Sequence, residues 1–135
     1  MDAEFEDVRK LAETRFSEAF ADGPEQSFTL SLAEDLTLTI FCIPGAPPSE
    51  IIVRACVCTL EGMQQPDAFA RAALEGNFFW EGTHGATLAL SADNELFLTE
   101  RREMEELVTP EGLDACIQDF AEAVRDWRAR RELYA

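Results

Sequence analysis

From Leu74 to Thr99 the chain reads Leu-Glu-Gly-Asn-Phe-Phe-Trp-Glu-Gly-Thr-His-Gly-Ala-Thr-Leu-Ala-Leu-Ser-Ala-Asp-Asn-Glu-Leu-Phe-Leu-Thr, and this stretch decides the fold. It opens as the end of a helix, with Gly76 and Asn77 where a helix stops. The aromatic triplet Phe78, Phe79 and Trp80 follows, then a glycine-punctuated loop ending at Gly85. Beyond it lies a hairpin pattern. Leu88 and Leu90 share one face, Asp93-Asn94 sits between the strands, and Leu96 and Leu98 repeat the alternation. Polar residues at every second position mark a sheet with one wet face, which predicts antiparallel pairing.

Upstream, Asp2 to Ala21 has the spacing of an amphipathic helix, with Phe5, Val8, Ala12, Phe16 and Ala19 three or four residues apart. Asp22-Gly23-Pro24 supplies its stop. Two strands follow: Phe28, Leu30 and Leu32 alternate with Thr29 and Ser31, and Leu36, Leu38 and Ile40 alternate with Thr37 and Thr39 up to Ile43. Glu34-Asp35 is the expected two-residue connection, although it lacks the usual glycine. Pro44 to Pro48 is a loop by composition. Ile51 to Leu60 is the longest strand, apolar on both faces and therefore expected at a central or doubly covered position. Pro66 opens a short alanine-rich helix.

Downstream of the hairpin, Glu100 to Glu106 reads as a charged connection. Thr109-Pro110 then starts the last helix, whose apolar stripe is Leu113, Cys116, Ile117, Phe120, Val124 and Trp127. The predicted order is α-β-β-β-α-β-β-α. This is an α+β fold: a twisted antiparallel sheet of about five strands with flanking helices.

A chain of 135 residues fits one domain, 1–135, with one core. Its net charge of −16 argues against nucleic acid and anionic membrane surfaces, where Lys and Arg must replace counterions. The charged N-terminal segment is unlike a signal peptide, and no apolar run approaches the roughly 20 residues that span a bilayer. The expected location is the cytoplasm, with all four cysteines reduced.

Candidates for chemistry are few. His84 is the sole histidine, and Cys56-x-Cys58 with Cys42 lacks the ligand spacing of a zinc site. All four cysteines stand in apolar contexts, where a thiol packs as a small hydrophobe. The sequence therefore predicts no catalytic residue, no metal and no cofactor, and leaves protein binding as the function. Phe5, Val8, Phe16 and Phe20 of the first helix, with Phe28, Leu30, Leu36 and Leu38 of the next strands, are the expected partner-binding residues. They are alternatively the ordinary core. Ala70, Leu74, Asn77, Phe78, Phe79 and Trp80 are the expected self-association surface, since a small alanine-rich helix allows close approach. The alternative is packing on the chain's own sheet.

A helix ending in Leu-x-x-Asn, an aromatic turn, Gly-Thr-x-Gly-Ala, alternating leucines and a tight turn resembles the class I type III secretion chaperones, the Tir chaperone family. The resemblance implies a homodimer built around the second helix. It also implies binding of the N-terminal segment of a secretion effector in extended form, presented indirectly to the secretion ATPase. Two rival readings are a regulatory adaptor of the same fold and a small thiol or metal enzyme using Cys56, Cys58 and His84.

Overall fold

A computed structural model describes residues 3–42, 50–83 and 85–135. The elements are α1 (Ala3–Arg15), β1 (Phe20–Asp22), β2 (Ser27–Leu32), β3 (Leu36–Phe41), β4 (Glu50–Thr59), α2 (Pro66–Gly76), β5 (Thr87–Leu90), β6 (Glu95–Glu103) and α3 (Pro110–Arg131). Short 3-10 turns at Phe78–Trp80 and Met104–Leu107 precede β5 and α3. The strands form one antiparallel sheet in the order β1-β2-β3-β4-β6-β5. The expected end of the third element at Ile43, the Pro44 to Pro48 loop and His84 lie outside the described residues.

Burial alternates strictly along the central strand: Ile51, Val53, Ala55 and Val57 are enclosed, while Ile52, Arg54, Cys56 and Cys58 point to the other side. The enclosed face receives α1, through Phe5, Val8 and Ala12, and α3, through Leu113, Ile117, Phe120, Val124 and Trp127. Both helices thus lie on one side of the sheet, and the outer face carries mostly polar and half-buried residues.

Three details depart from the sequence reading. The first helix ends at Arg15, not Ala21, because the chain bends into β1, a sixth strand at the sheet edge. Phe16, Ala19 and Phe20 keep helical spacing, but pairing with β2 overrides it: Ser31 N donates to Ala19 O at 2.9 Å. Secondly, the charged run after the hairpin is not a connection at its start, since β6 pairs with β4 as far as Glu50 opposite Glu103. The charges stay at the rim as pairs, Arg101 with Glu50 (3.2 Å) and Arg102 with Glu100 (3.1 Å). Met104 and Leu107 then turn fully into the core.

Thirdly, Leu32 pairs with Leu36, so the β2–β3 connection is the three residues Ala33, Glu34 and Asp35. Glu34 and Asp35 adopt φ of 64° and 56° without a glycine. Arg128 explains how. Its guanidinium donates to Glu34 O (2.8 Å) and Asp35 O (3.3 Å), and also to Val57 O (2.7 Å) and Cys56 O (3.2 Å) at a bulge in β4. A bulge takes backbone groups out of the ladder, and one side chain satisfies both that bulge and the turn.

Candidate protein-binding site

The Gly-Thr-x-Gly-Ala motif builds a closed loop. Thr83 is fully buried, and its hydroxyl donates to Ala86 O, two residues past the undescribed position 84. Trp127 of α3 sits beneath, with its indole N–H donating to Gly82 O at 3.0 Å. A Cβ at Gly76 would lie 2.5 Å from the Trp127 ring, and one at Gly82 would lie 2.8 Å from the Gly76 Cα. Gly76 is the last helical residue, as expected, with Asn77 as C-cap, and its missing side chain also admits the indole.

Above this support the aromatic triplet turns outward. Phe79 and Trp80 have φ of 52° and 58°, a costly conformation for bulky residues. The turn is held by Trp80 N to Asn77 O (3.0 Å) and Gly82 N to Gly76 O (3.1 Å). Leu74, Phe78 and Phe79 are 72 %, 69 % and 72 % exposed, and Trp80 is 55 % exposed. Half-exposed Leu90 of β5 joins Leu74 and Ala70 around an apolar pocket of about 110 Å³. Leu74 borders hollows with both Leu90 and Phe78, and Phe79 packs edge-on against Phe78 at 4.5 Å, so these exposed side chains are clustered rather than scattered singles.

Asn77, expected in that surface, has a different task. Its side-chain amide donates to Leu88 O (2.9 Å) and its carbonyl accepts from Leu88 N (2.8 Å). A neighbouring strand would make that same pair of bonds. Asn77 thus occupies the outer edge of β5 at Leu88.

At the opposite edge, six of the eight expected partner-binding residues are corrected by their burial. Phe5, Val8, Phe28, Leu30, Leu36 and Leu38 have no exposed surface and constitute the core. The alternation marked a face as apolar, and α1 then covered that face. Phe16 and Phe20 remain half-buried, as do Leu11 and Leu32, which pack against the same core. Phe20 is the outermost ring of a row that continues through Phe28 (5.4 Å between centroids) to Phe5 (5.8 Å). No described strand pairs with the other side of β1.

Sequence reasoning missed Arg9, which fixes this corner. Its side chain bonds Asp22 of β1, Ser27 O (2.9 Å) and Glu25 O (2.9 Å), and lies over the Phe5 ring at 5.2 Å. Only its place on the polar side of the helical pattern was visible.

The thiols are poorly suited to attack or ligation. Burial pushes Cys56 and Cys58 above the ordinary thiol range and pushes Cys116 up to about 11, so each stays protonated at neutral pH. Cys42, Cys56, Cys58 and Cys116 are all free. Among the described residues, no three His, Cys, Asp or Glu side chains converge to hold a metal, and no helix is long and apolar enough to cross a membrane.

Comparison with known proteins agrees with this geometry. The family model described as the Tir chaperone protein (CesT) family matches residues 19–128. No curated protein matches the sequence. Among solved structures, a chain of the ExsC–ExsE complex superposes with a TM-score of 0.73 at 16 % identity, covering 96 % of each chain. The Yersinia pestis type III secretion chaperone SycH, in complex with a stable fragment of YscM2, gives 0.67 at 11 % identity, over 93 % of this chain and 99 % of that one. The HopA1–SchA chaperone–effector complex gives 0.65 at 14 % identity, over 96 % and 98 %. At these identities the likeness is one of fold.

Proposed function

The chain belongs to the Tir chaperone protein (CesT) family, and from that premise we propose that it is a type III secretion chaperone. It binds the N-terminal region of a cognate effector in extended form, keeps it soluble and targets it to the secretion apparatus. The observation that carries this reading is the outer side of β1, with which no described strand pairs, beside half-buried Phe16 and Phe20. An extended segment adds to such an edge through main-chain hydrogen bonds, and its alternate side chains find the apolar rim. Binding of this kind needs no catalytic group and no cofactor. The chain works in the bacterial cytoplasm and hands its cargo to the secretion ATPase, which supplies the energy.

The second surface serves a second copy. Leu74, Phe78, Phe79 and Trp80, with Ala70 at the pocket, form a self-complementary patch for a symmetric homodimer. Exposed aromatics of this density are typical of interface centres.

The test is co-purification of the native chain from cells that express a type III secretion system, followed by limited proteolysis of what co-elutes. The expected result is a secreted substrate whose N-terminal region is protected only in the complex. Failure to enrich any secretion substrate overturns the reading.

A further inference from the structure

The outer face of the sheet, opposite α1 and α3, holds a feature that neither edge explains. Two adjoining hollows of about 460 Å³ and 540 Å³ share Phe41 and Arg54, so together they form one groove across the strands. One end lies at Gln26 and Thr39, the other at Trp80 and Thr87. Arg54 stands at the junction. Its guanidinium carbon lies 5.1 Å from the Phe41 ring centroid on one side and 5.9 Å from Phe97 on the other. Those rings come from the strands flanking β4, where Phe41 pairs with Ile52 and Phe97 with Cys56. An exposed arginine bracketed in this way is held in place by cation–π attraction while its N–H groups stay open.

The chain has 27 acidic residues against 11 basic ones. Arg9, Arg15, Arg71, Arg101 and Arg102 each pair with a carboxylate. Arg54, like Lys10 and Arg125, pairs with no carboxylate among the described residues, and it occupies the middle of the face. The undescribed segment that follows Cys42, residues 43–49, contains no Asp or Glu. Glu25 and Glu100 line the same hollows, but neither forms an ion pair with Arg54, and Glu100 pairs with Arg102, so the Arg54 cation is open to a carboxylate from outside.

We propose that Arg54 is a specificity residue for the bound effector segment, selecting a glutamate or aspartate set within an apolar run. This rests on the chaperone reading and names the chemistry of the segment. Phe41, Ile52 and Phe97 receive the apolar neighbours, and the Arg54 fork takes the carboxylate through paired N–H···O bonds. In a chain of such negative charge, an acidic segment is otherwise repelled, so one pre-oriented cation decides which acidic segments are accepted.

The probe is a set of short synthetic peptides of alternating Leu and Ser with Glu, Gln or Lys at the centre, titrated calorimetrically against the full chain. The Glu peptide is expected to bind about tenfold tighter than the Gln peptide, as one charge-assisted contact implies, with the Lys peptide weakest. Arg54→Glu reverses the order, and Arg54→Gln abolishes the preference. Because Arg54 is exposed, circular dichroism should be unchanged in both, and Arg54→Gln carries the test where charge reversal perturbs folding. Equal affinities, absence of saturable binding, or a preference for Glu that survives either substitution overturns the inference. Such a result leaves co-purification of a secretion substrate with the native chain intact. Loss of that co-purification is the separate failure of the chaperone reading.

Discussion

The two edges of the sheet are built oppositely. At β5, Asn77 pairs with Leu88 through both its donor and its acceptor, so the edge is closed to a further strand at that residue, while the side chains around it are apolar and exposed. At β1 no described strand pairs with the outer side, although Phe20 N donates to Phe16 O at 2.8 Å, and the nearby aromatics are half withdrawn against the core. Closing the backbone while exposing side chains favours face-to-face packing with a rigid, shaped partner. Leaving the backbone open with a shallow apolar rim favours an extended segment that pairs through its main chain. One sheet thus has two unlike ends, the one proposed for self-association and the other for cargo, and the difference lies in what satisfies the edge N–H and C=O groups.

The sharpest way to break this contrast is to charge the β5 end. Leu74→Asp with Phe79→Asp alters two side chains that touch little of their own chain. The monomer should therefore keep its circular dichroism and thermal midpoint, while self-association falls by roughly 6–12 kcal/mol per dimer, since each of the two large apolar side chains contributes about 1.5–3 kcal/mol and symmetry counts it twice. Light scattering across the micromolar range decides the matter. A native chain that is already monomeric there would remove the self-association end altogether.

Much of this arrangement is legible in the sequence, and the residues that are not share a physical cause. Period and turn chemistry gave the hairpin, the central strand and the capped last helix. There Thr109 accepts from Gly112 N as its position before Pro110 predicts. What period does not encode is which apolar face a later element will cover. Phe5 and Phe28 look no different from Phe79 in a list of residues, yet the packing of α1 against the sheet buries the first two, while Phe79 stays exposed among the described residues. Nor does it encode a competition between local and distant partners, so Phe16 to Ala21 read as helix although β2 claims part of it. Long polar side chains are the least legible. Arg9, Arg128 and Asn77 each satisfy backbone groups that only the fold brings near.

A smaller effect separates the closure at β5 from the patch around it. Asn77→Ala removes both bonds to Leu88 but no exposed apolar surface. Two half-buried hydrogen bonds of ordinary strength correspond to about 1–3 kcal/mol of lost stability. Urea unfolding measures this, and the freed edge should also raise aggregation during refolding. Asn77→Asp retains the acceptor and loses the donor, so it should fall between. A variant as stable as the parent would mean that solvent replaces the amide at no cost, and the two edges would then differ only in their side chains.

The least effect is expected at the cargo end, where Arg15, the last residue of α1, pairs with Asp114 of α3 (2.9 Å from Nε to Oδ1) just before the chain turns toward β1. Hydrogen bonding from Arg15 holds the Asp114 carboxyl below its ordinary value of 3.8, and the same bond raises Arg15. A carboxyl depressed in the folded state adds stability above its unfolded value, and that stability is lost as pH falls through the folded one. The pair is open to water and screened by salt, so its contribution is small. Asp114→Asn should therefore lower the thermal midpoint slightly at neutral pH and low salt, and less in concentrated sodium chloride. Below the depressed carboxyl value the two proteins should melt together, because the parent has lost the same charge. A difference that persists in strong acid would assign the effect to packing of the introduced amide rather than to the ion pair, and the end of α1 would then be anchored by contact alone.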